Sequence, residues 1–256
     1  MTLDFTSMEL VHTVPGASHI TVERDHVYPT AQGPLGFRLY RPLHPTPSCP
    51  AVVFVSGLPD PGVVAMLGKP LHDWASYVGW ARMIAVSGLV AITYTNREPV
   101  DVVALVHHLR ANAGALGIDP DRIGVWACSG NVPMALGLIA RERIACAALL
   151  YGYMLDLDGQ TSVADAAAKM YFAAPPVGLD ELPREMPMLV VRAGRDATAG
   201  LDETLQRFVV AARARGLPVT LVDHADAPHA FDLLDDSPRT HEVIEHVLAF
   251  LRRALA

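Results

Sequence analysis

Lysine is nearly absent from this chain, and so is any cluster of positive charge. Only Lys69 and Lys169 are lysines, and the net charge over 256 residues is −7. Without a basic patch, nucleic acid has no electrostatic footprint to bind. Cysteine is also scarce. Cys49, Cys128 and Cys146 are too few and too scattered for a disulfide framework or a zinc site. Long apolar runs are missing too. The longest stretch, around Ile144 to Leu157, is broken by Gly152 and falls short of a membrane span. The N-terminus reads Met1-Thr2-Leu3-Asp4-Phe5, with neither the basic nor the apolar region of a secretory signal. A cytoplasmic protein that binds no membrane is the expectation.

What remains suits a sizeable core, because 51% of the residues are hydrophobic. Ile20 to Tyr28 and Leu35 to Tyr40 alternate apolar and polar residues, as an antiparallel edge hairpin would. Ala51–Val55 is continuously apolar and reads as a strand buried on both faces, and Leu89–Tyr94 as another. Ile123–Cys128, Cys146–Tyr151, Met188–Arg192 and Val219–Val222 read as further strands. Between them lie helical patterns at Leu71–Ser87, Val100–Asn112, Pro133–Arg141, Val163–Phe172, Leu201–Arg215 and Arg239–Leu255. Alternation of this kind predicts an α/β fold: a mostly parallel central sheet with helices on both faces. No linker divides residues 1–256, so a single domain is expected, with residues 155–184 as a short cap after the sixth strand.

The most informative residue is Ser129, in Val125-Trp126-Ala127-Cys128-Ser129-Gly130-Asn131-Val132-Pro133. It stands where a strand gives way to a helix whose first turn holds a proline, the context of a nucleophile elbow. Residues two before and two after such a serine must be small. Here they are Ala127 and Asn131, where glycines are usual, and asparagine tolerates unusual backbone angles. Cys128 is the rival nucleophile. That register would put the Trp126 indole two residues before the nucleophile, against the following helix, which favours serine.

In an open parallel sheet, functional residues gather beyond the carboxyl ends of the strands. Asp196 follows Met188–Arg192, and His229 follows Val219–Val222. The order Ser129, Asp196, His229 suits a hydrolase in which histidine takes the serine proton and aspartate orients the imidazole. His224 is the rival base and Asp226 the rival acid. Read as metal ligands, His224, Asp226 and His229 lack a further partner, so no metal is expected. The oxyanion donors would be the backbone N–H groups of Gly130 and, in the loop Ser56-Gly57-Leu58-Pro59, of Leu58, since Pro59 has none. Tyr94, Arg97, Tyr151, Met154, Tyr171 and Phe172 follow strands or lie in the cap. They are the candidate substrate-binding residues, with Arg97 as an anchor for a carboxylate.

On the elbow, on Ala193-Gly194-Arg195-Asp196 and on Ala227-Pro228-His229-Ala230-Phe231, the chain resembles the α/β-hydrolase superfamily. Within it, the likeness is to dienelactone hydrolase-like esterases. The resemblance implies the α/β-hydrolase fold, a Ser129–His229–Asp196 triad, no cofactor, and cleavage of a small ester, thioester or lactone through an acyl-enzyme. Three features depart. Ser129 stands where dienelactone hydrolases proper use cysteine, Ser56-Gly57 replaces His-Gly, and the elbow lacks both glycines. A small-molecule substrate is the expected partner, and a homodimer is compatible with the sequence. The same fold also hosts lyases and small-molecule-binding proteins, which stand as the alternative.

Overall fold

The computed structural model describes residues 3–256; Met1 and Thr2, part of the N-terminus read above, lie outside it. Eight strands form one sheet in the order β1-β2-β4-β3-β5-β6-β7-β8. They are β1 (Thr21–Tyr28), β2 (Leu35–Arg41), β3 (Cys49–Phe54), β4 (Val90–Tyr94), β5 (Ile118–Cys128), β6 (Ala147–Leu150), β7 (Met188–Ala193) and β8 (Val219–His224). The β1–β2 hairpin runs antiparallel along β4, and every other pairing is parallel. The sequence pattern explains this division. Strands β4 and β6 are buried at every residue, whereas β1, at the edge, is exposed at Thr21, Arg24, Asp25 and Val27 and fully buried only at Tyr28. Its expected alternation is broken where the register shifts between Glu23 and His26.

The helices are α1 (Asp60–Leu67), α2 (Ala75–Val86), α3 (Asp101–Ala111), the short α4 (Ala113–Leu116), α5 (Val132–Arg141), α6 (Ser162–Met170), α7 (Leu201–Ala214), the short α8 (Phe231–Leu234) and α9 (Pro238–Ala254). Helices α3, α5 and α7 bury Leu105, Leu138 and Phe208 on one face of the sheet. Helices α2 and α9 bury Trp80, Ile84, Val247 and Leu251 on the other. The two-residue period of a strand sorts β5 between these layers. Ile123, Val125 and Ala127 face the first, while Trp126 and Cys128 face the second.

The segment after β6 forms a small cluster of Tyr153, Val163, Ala166 and Phe172 with Leu201 at the start of α7. The loop after β3 is short, because helix α1 begins directly after Pro59. Pro61 sits in the first turn of that helix, where the missing N–H costs nothing.

Candidate active site

Strand β5 ends at Cys128, and the backbone turns at once into the helix that leads to α5. Ser129 makes the turn with φ 54°, in the left-handed region that a side-chain-bearing residue seldom adopts. Tyr151 (φ 36°) and Ala230 (φ 54°) share this strain, and all three line one cleft. Asp158 and Tyr171 are also left-handed but lie outside the cleft; strain held around one cleft is a mark of functional geometry.

The loops after β7 and β8 meet beside this elbow. The Arg195 N–H donates to Ala227 O at 2.8 Å, and Gly194 N–H to His224 O at 2.9 Å. Gly194 is required there, because a Cβ would lie 2.3 Å from Ala225 O. The joined loops present Asp196 and His229 to Ser129. Ser129 Oγ lies 2.9 Å from His229 Nε2, and His229 Nδ1 lies 2.5 Å from Asp196 Oδ2. The second carboxylate oxygen of Asp196 accepts the Thr198 N–H at 2.9 Å. Burial alone would raise the Asp196 pKa, but the hydrogen bonds from His229 and Thr198 outweigh it and hold the carboxyl below its ordinary range. An ionised carboxylate only accepts, so Nδ1 carries a proton, and in the neutral ring Nε2 is the acceptor that faces the serine hydroxyl.

The rivals lie elsewhere. Cys128 is buried, its thiol pushed up to about 12 by burial, and it contacts Tyr77 Oη at 3.6 Å. His224 is also buried, with Nε2 2.9 Å from Thr240 Oγ1 and 3.2 Å from Asp235 Oδ2, so it pins the start of α9. Asp226 is exposed and paired with Arg195. Among the described residues, no group of three or more His, Cys, Asp and Glu is placed to hold a metal ion. No helix among them is long and apolar enough to cross a membrane.

The cleft holds about 300 Å³. Ser129, Gly130 and His229 line it together with Leu58, Leu71, Trp74, Tyr77, Trp80 and Tyr151, and Phe5 stands at its side. A wider depression of about 600 Å³ between α2 and α9, lined by Val86, Glu242 and His246, includes none of Ser129, Asp196 and His229.

Gly130 N–H is at the first turn after the nucleophile, where it has no intrahelical partner. In the loop after β3, the Gly57 N–H donates to Asn131 Oδ1 at 2.7 Å, while the Leu58 N–H donates to Ser56 Oγ at a longer 3.3 Å. Gly130 and Leu58 both line the cleft.

The expected substrate-binding residues divide. Tyr151 lines the cleft, its ring edge-on to His229 at 5.2 Å between centroids. Phe172 lies over Gly130 and stacks on Tyr153. The other four are elsewhere. Arg97 cannot anchor a substrate carboxylate in this cleft, because its guanidinium is held by Thr30 Oγ1 and Gly33 O in the β1–β2 turn. Tyr94 is buried beneath the loop after β3, its hydroxyl accepting the Ser56 N–H at 3.2 Å. Met154 is wholly buried in the core, and Tyr171 is 74% exposed at the end of α6.

The sequence reading missed Trp74, Tyr77 and Trp80 as cleft wall, although their spacing on one helix was visible. It also missed the N-terminal segment. Thr6 O accepts the Ala75 N–H at 3.2 Å, and Val11 N–H donates to Asp232 O at 3.0 Å, which carries Phe5 to the cleft.

No family model matches the chain, and no curated protein matches it by sequence. Solved structures do. An esterase from the archaeon Pyrobaculum calidifontis is 20% identical, with 92% of this chain and 84% of that one covered at a TM-score of 0.69. A bacterial heroin esterase is 15% identical, with coverage of 94% and 86% at 0.70. Esterase LipW from Mycobacterium marinum is 18% identical, with coverage of 93% and 83% at 0.69. At these identities the likeness is one of fold: the chain has the α/β-hydrolase fold.

Proposed function

We propose that the protein is a serine hydrolase that cleaves small, neutral carboxylic esters through an acyl-enzyme. The observation that carries this reading is the run of contacts from Ser129 Oγ to His229 Nε2 at 2.9 Å and from His229 Nδ1 to Asp196 Oδ2 at 2.5 Å. Ser129 Oγ attacks the carbonyl carbon as His229 Nε2 takes its proton. The carbonyl oxygen becomes an oxyanion between the Gly130 and Leu58 amides. Asp196 stabilises the imidazolium, which then protonates the departing alcohol oxygen. Water, deprotonated by the same imidazole, releases the acid and restores Ser129. A lactone or thioester presents the same electrophilic carbon and would follow the same steps. The esterases of like fold support ester cleavage as the reaction class.

The cleft wall supports a neutral acyl group. Leu58, Leu71, Trp74, Tyr77 and Trp80 are apolar or aromatic, and among the described residues no lysine or arginine lines the cleft to balance a substrate carboxylate. The test is covalent labelling with a fluorophosphonate, run beside turnover of an aryl ester of a short neutral acid and of its analogue bearing a free carboxylate. Wild type should label and prefer the neutral ester, and Ser129→Ala should do neither. Wild type that fails to label and turns over no ester would return the binding-protein or lyase alternative. Labelling that survived Ser129→Ala would move the nucleophile.

A further inference from the structure

Asn131 stands two residues after Ser129, where an elbow usually needs glycine. Its backbone does not account for the choice, since φ −86° and ψ −17° are ordinary right-handed values open to any residue. The expectation that asparagine serves there for unusual backbone angles is therefore replaced by a role for the side chain. That side chain is buried, with 5% of the residue exposed, and both ends of its amide are engaged. The Gly57 N–H can only donate, so the atom facing it at 2.7 Å is Oδ1. Nδ2 then donates to Tyr77 Oη at 2.8 Å. Having accepted that bond, Tyr77 keeps its own proton for Cys128 Sγ at 3.6 Å. One side chain thus ties the loop after β3 to the elbow, to α2 and to the end of β5.

We infer that Asn131 is a positioning residue that sets the oxyanion loop against the nucleophile; the inference rests on the serine-hydrolase reading. The Gly57 N–H is spent on a short bond to Asn131, which leaves the next amide, Leu58, as the loop's donor, its longer 3.3 Å bond to Ser56 Oγ giving way to the oxyanion. The loop already touches the elbow, since a Cβ on Gly57 would lie 2.7 Å from Gly130 O. Close contact keeps the loop from moving inward, and the amide clamp fixes how it is turned. Without the clamp, the buried Gly57 N–H has no acceptor and must turn to find one. Leu58 turns with it. The loss falls on the transition state, where the oxyanion exists, and not on ground-state binding.

The test compares wild type with Asn131→Ala, Asn131→Asp and Tyr77→Phe on a short neutral aryl ester. It also measures the affinity of each for a trifluoromethyl ketone. Ser129 Oγ adds to that ketone carbon, its proton passes to His229, and the ketone oxygen becomes an oxyanion in the same place. Loss of an oxyanion donor typically costs about 10² to 10³ in kcat, so Asn131→Ala should lower kcat by about 10² and weaken the ketone by a similar factor, with KM nearly unchanged. Asn131→Asp keeps an acceptor for Gly57, and Tyr77 can turn its proton to the other oxygen, so it should recover about tenfold of that loss. Tyr77→Phe removes only the second bond and should lower kcat by about threefold to tenfold, again matched by the ketone.

Asn131→Ala with kcat and ketone affinity near wild type would overturn the inference. So would equal losses in the alanine and aspartate variants, or a rise in KM alone. If neither Asn131 variant folds, Tyr77→Phe decides: parallel losses support the clamp, and unchanged kcat overturns it. A wild type without Ser129 labelling or ester turnover would instead sink the hydrolase reading itself.

Discussion

Asp196, in the loop after β7, and Asp232, in α8, both lie within the field of the His229 imidazole, yet their surroundings drive their pKa values apart. The Asp196 side chain is fully buried, and its partners are the His229 ring and Thr198. Burial pushes its pKa up, but those hydrogen bonds push it further down. Asp232 is buried by α2 and the end of β6, with neutral donors only: Trp80 Nε1–H at 2.8 Å and the Tyr151 hydroxyl at 2.8 Å. There burial wins over the two donors, and the carboxyl is pushed above its ordinary value. A partner that can take up positive charge keeps one carboxylate ionised. Neutral donors in an apolar wall do not fully repay the desolvation of the other. Such a divergence separates groups that work from groups that hold. In the proposed mechanism Asp196 supports an imidazolium, while Asp232 staples α2, α8 and Tyr151 together.

The sharpest way to break this contrast is kinetic. Asp196→Asn should lower kcat by about 10⁴, because the imidazole loses the partner that fixes its tautomer. Asp226→Asn should leave kcat near wild type, since Asp226 is an exposed partner of Arg195. The reverse pattern in steady-state kinetics would exchange the roles of the two acids. Asp232→Asn should sit between them. Its hydrogen-bonded link toward His229 runs through Tyr151, whose ring stands 5.2 Å from the imidazole, so a loss of about tenfold or less is expected. A loss as large as that of Asp196→Asn would place Asp232 in the proton-handling machinery and end the contrast.

The contrast also marks what the sequence makes legible. The strands were readable because parallel strands buried on both faces are near-continuous apolar runs, as in Val90–Tyr94 and Ala147–Leu150. The register at Ser129 was readable from Trp126, which the strand period carries to the same layer as Cys128 and away from Ala127. Helix α1 was not readable as a helix, because Pro59, Pro61 and Gly62 are equally good loop residues.

The cleft wall was the least readable part. A rule that looks for pockets beyond strand ends finds Tyr151, but it also proposes Tyr94, Met154 and Tyr171, which packing places elsewhere. Trp74 and Tyr77 show helical spacing, but spacing does not say which part of a helix borders a void. Phe5 and Asp232 are joined to the site through tertiary hydrogen bonds of the N-terminal segment and of Trp80, and no local pattern encodes these.

The smallest expected effect is the most specific to the comparison, because it has opposite signs at the two aspartates. A carboxyl with a depressed folded pKa, such as Asp196, adds stability above its unfolded value of about 3.9 and loses it as pH falls through the folded value. A carboxyl with a raised folded pKa, such as Asp232, contributes most below about 3.9 and loses that contribution as pH rises through the folded value. Asparagine titrates at neither site, so each variant removes one of these dependences. The melting temperature of wild type minus that of Asp196→Asn should therefore shrink on acidification below about pH 4. The difference for Asp232→Asn should instead grow in favour of wild type as pH falls from neutral toward about 4. Thermal unfolding across that range, followed by circular dichroism, reads both differences. Slopes of the same sign would mean that the two carboxyls share one environment, and that the division between a working and a holding aspartate is wrong.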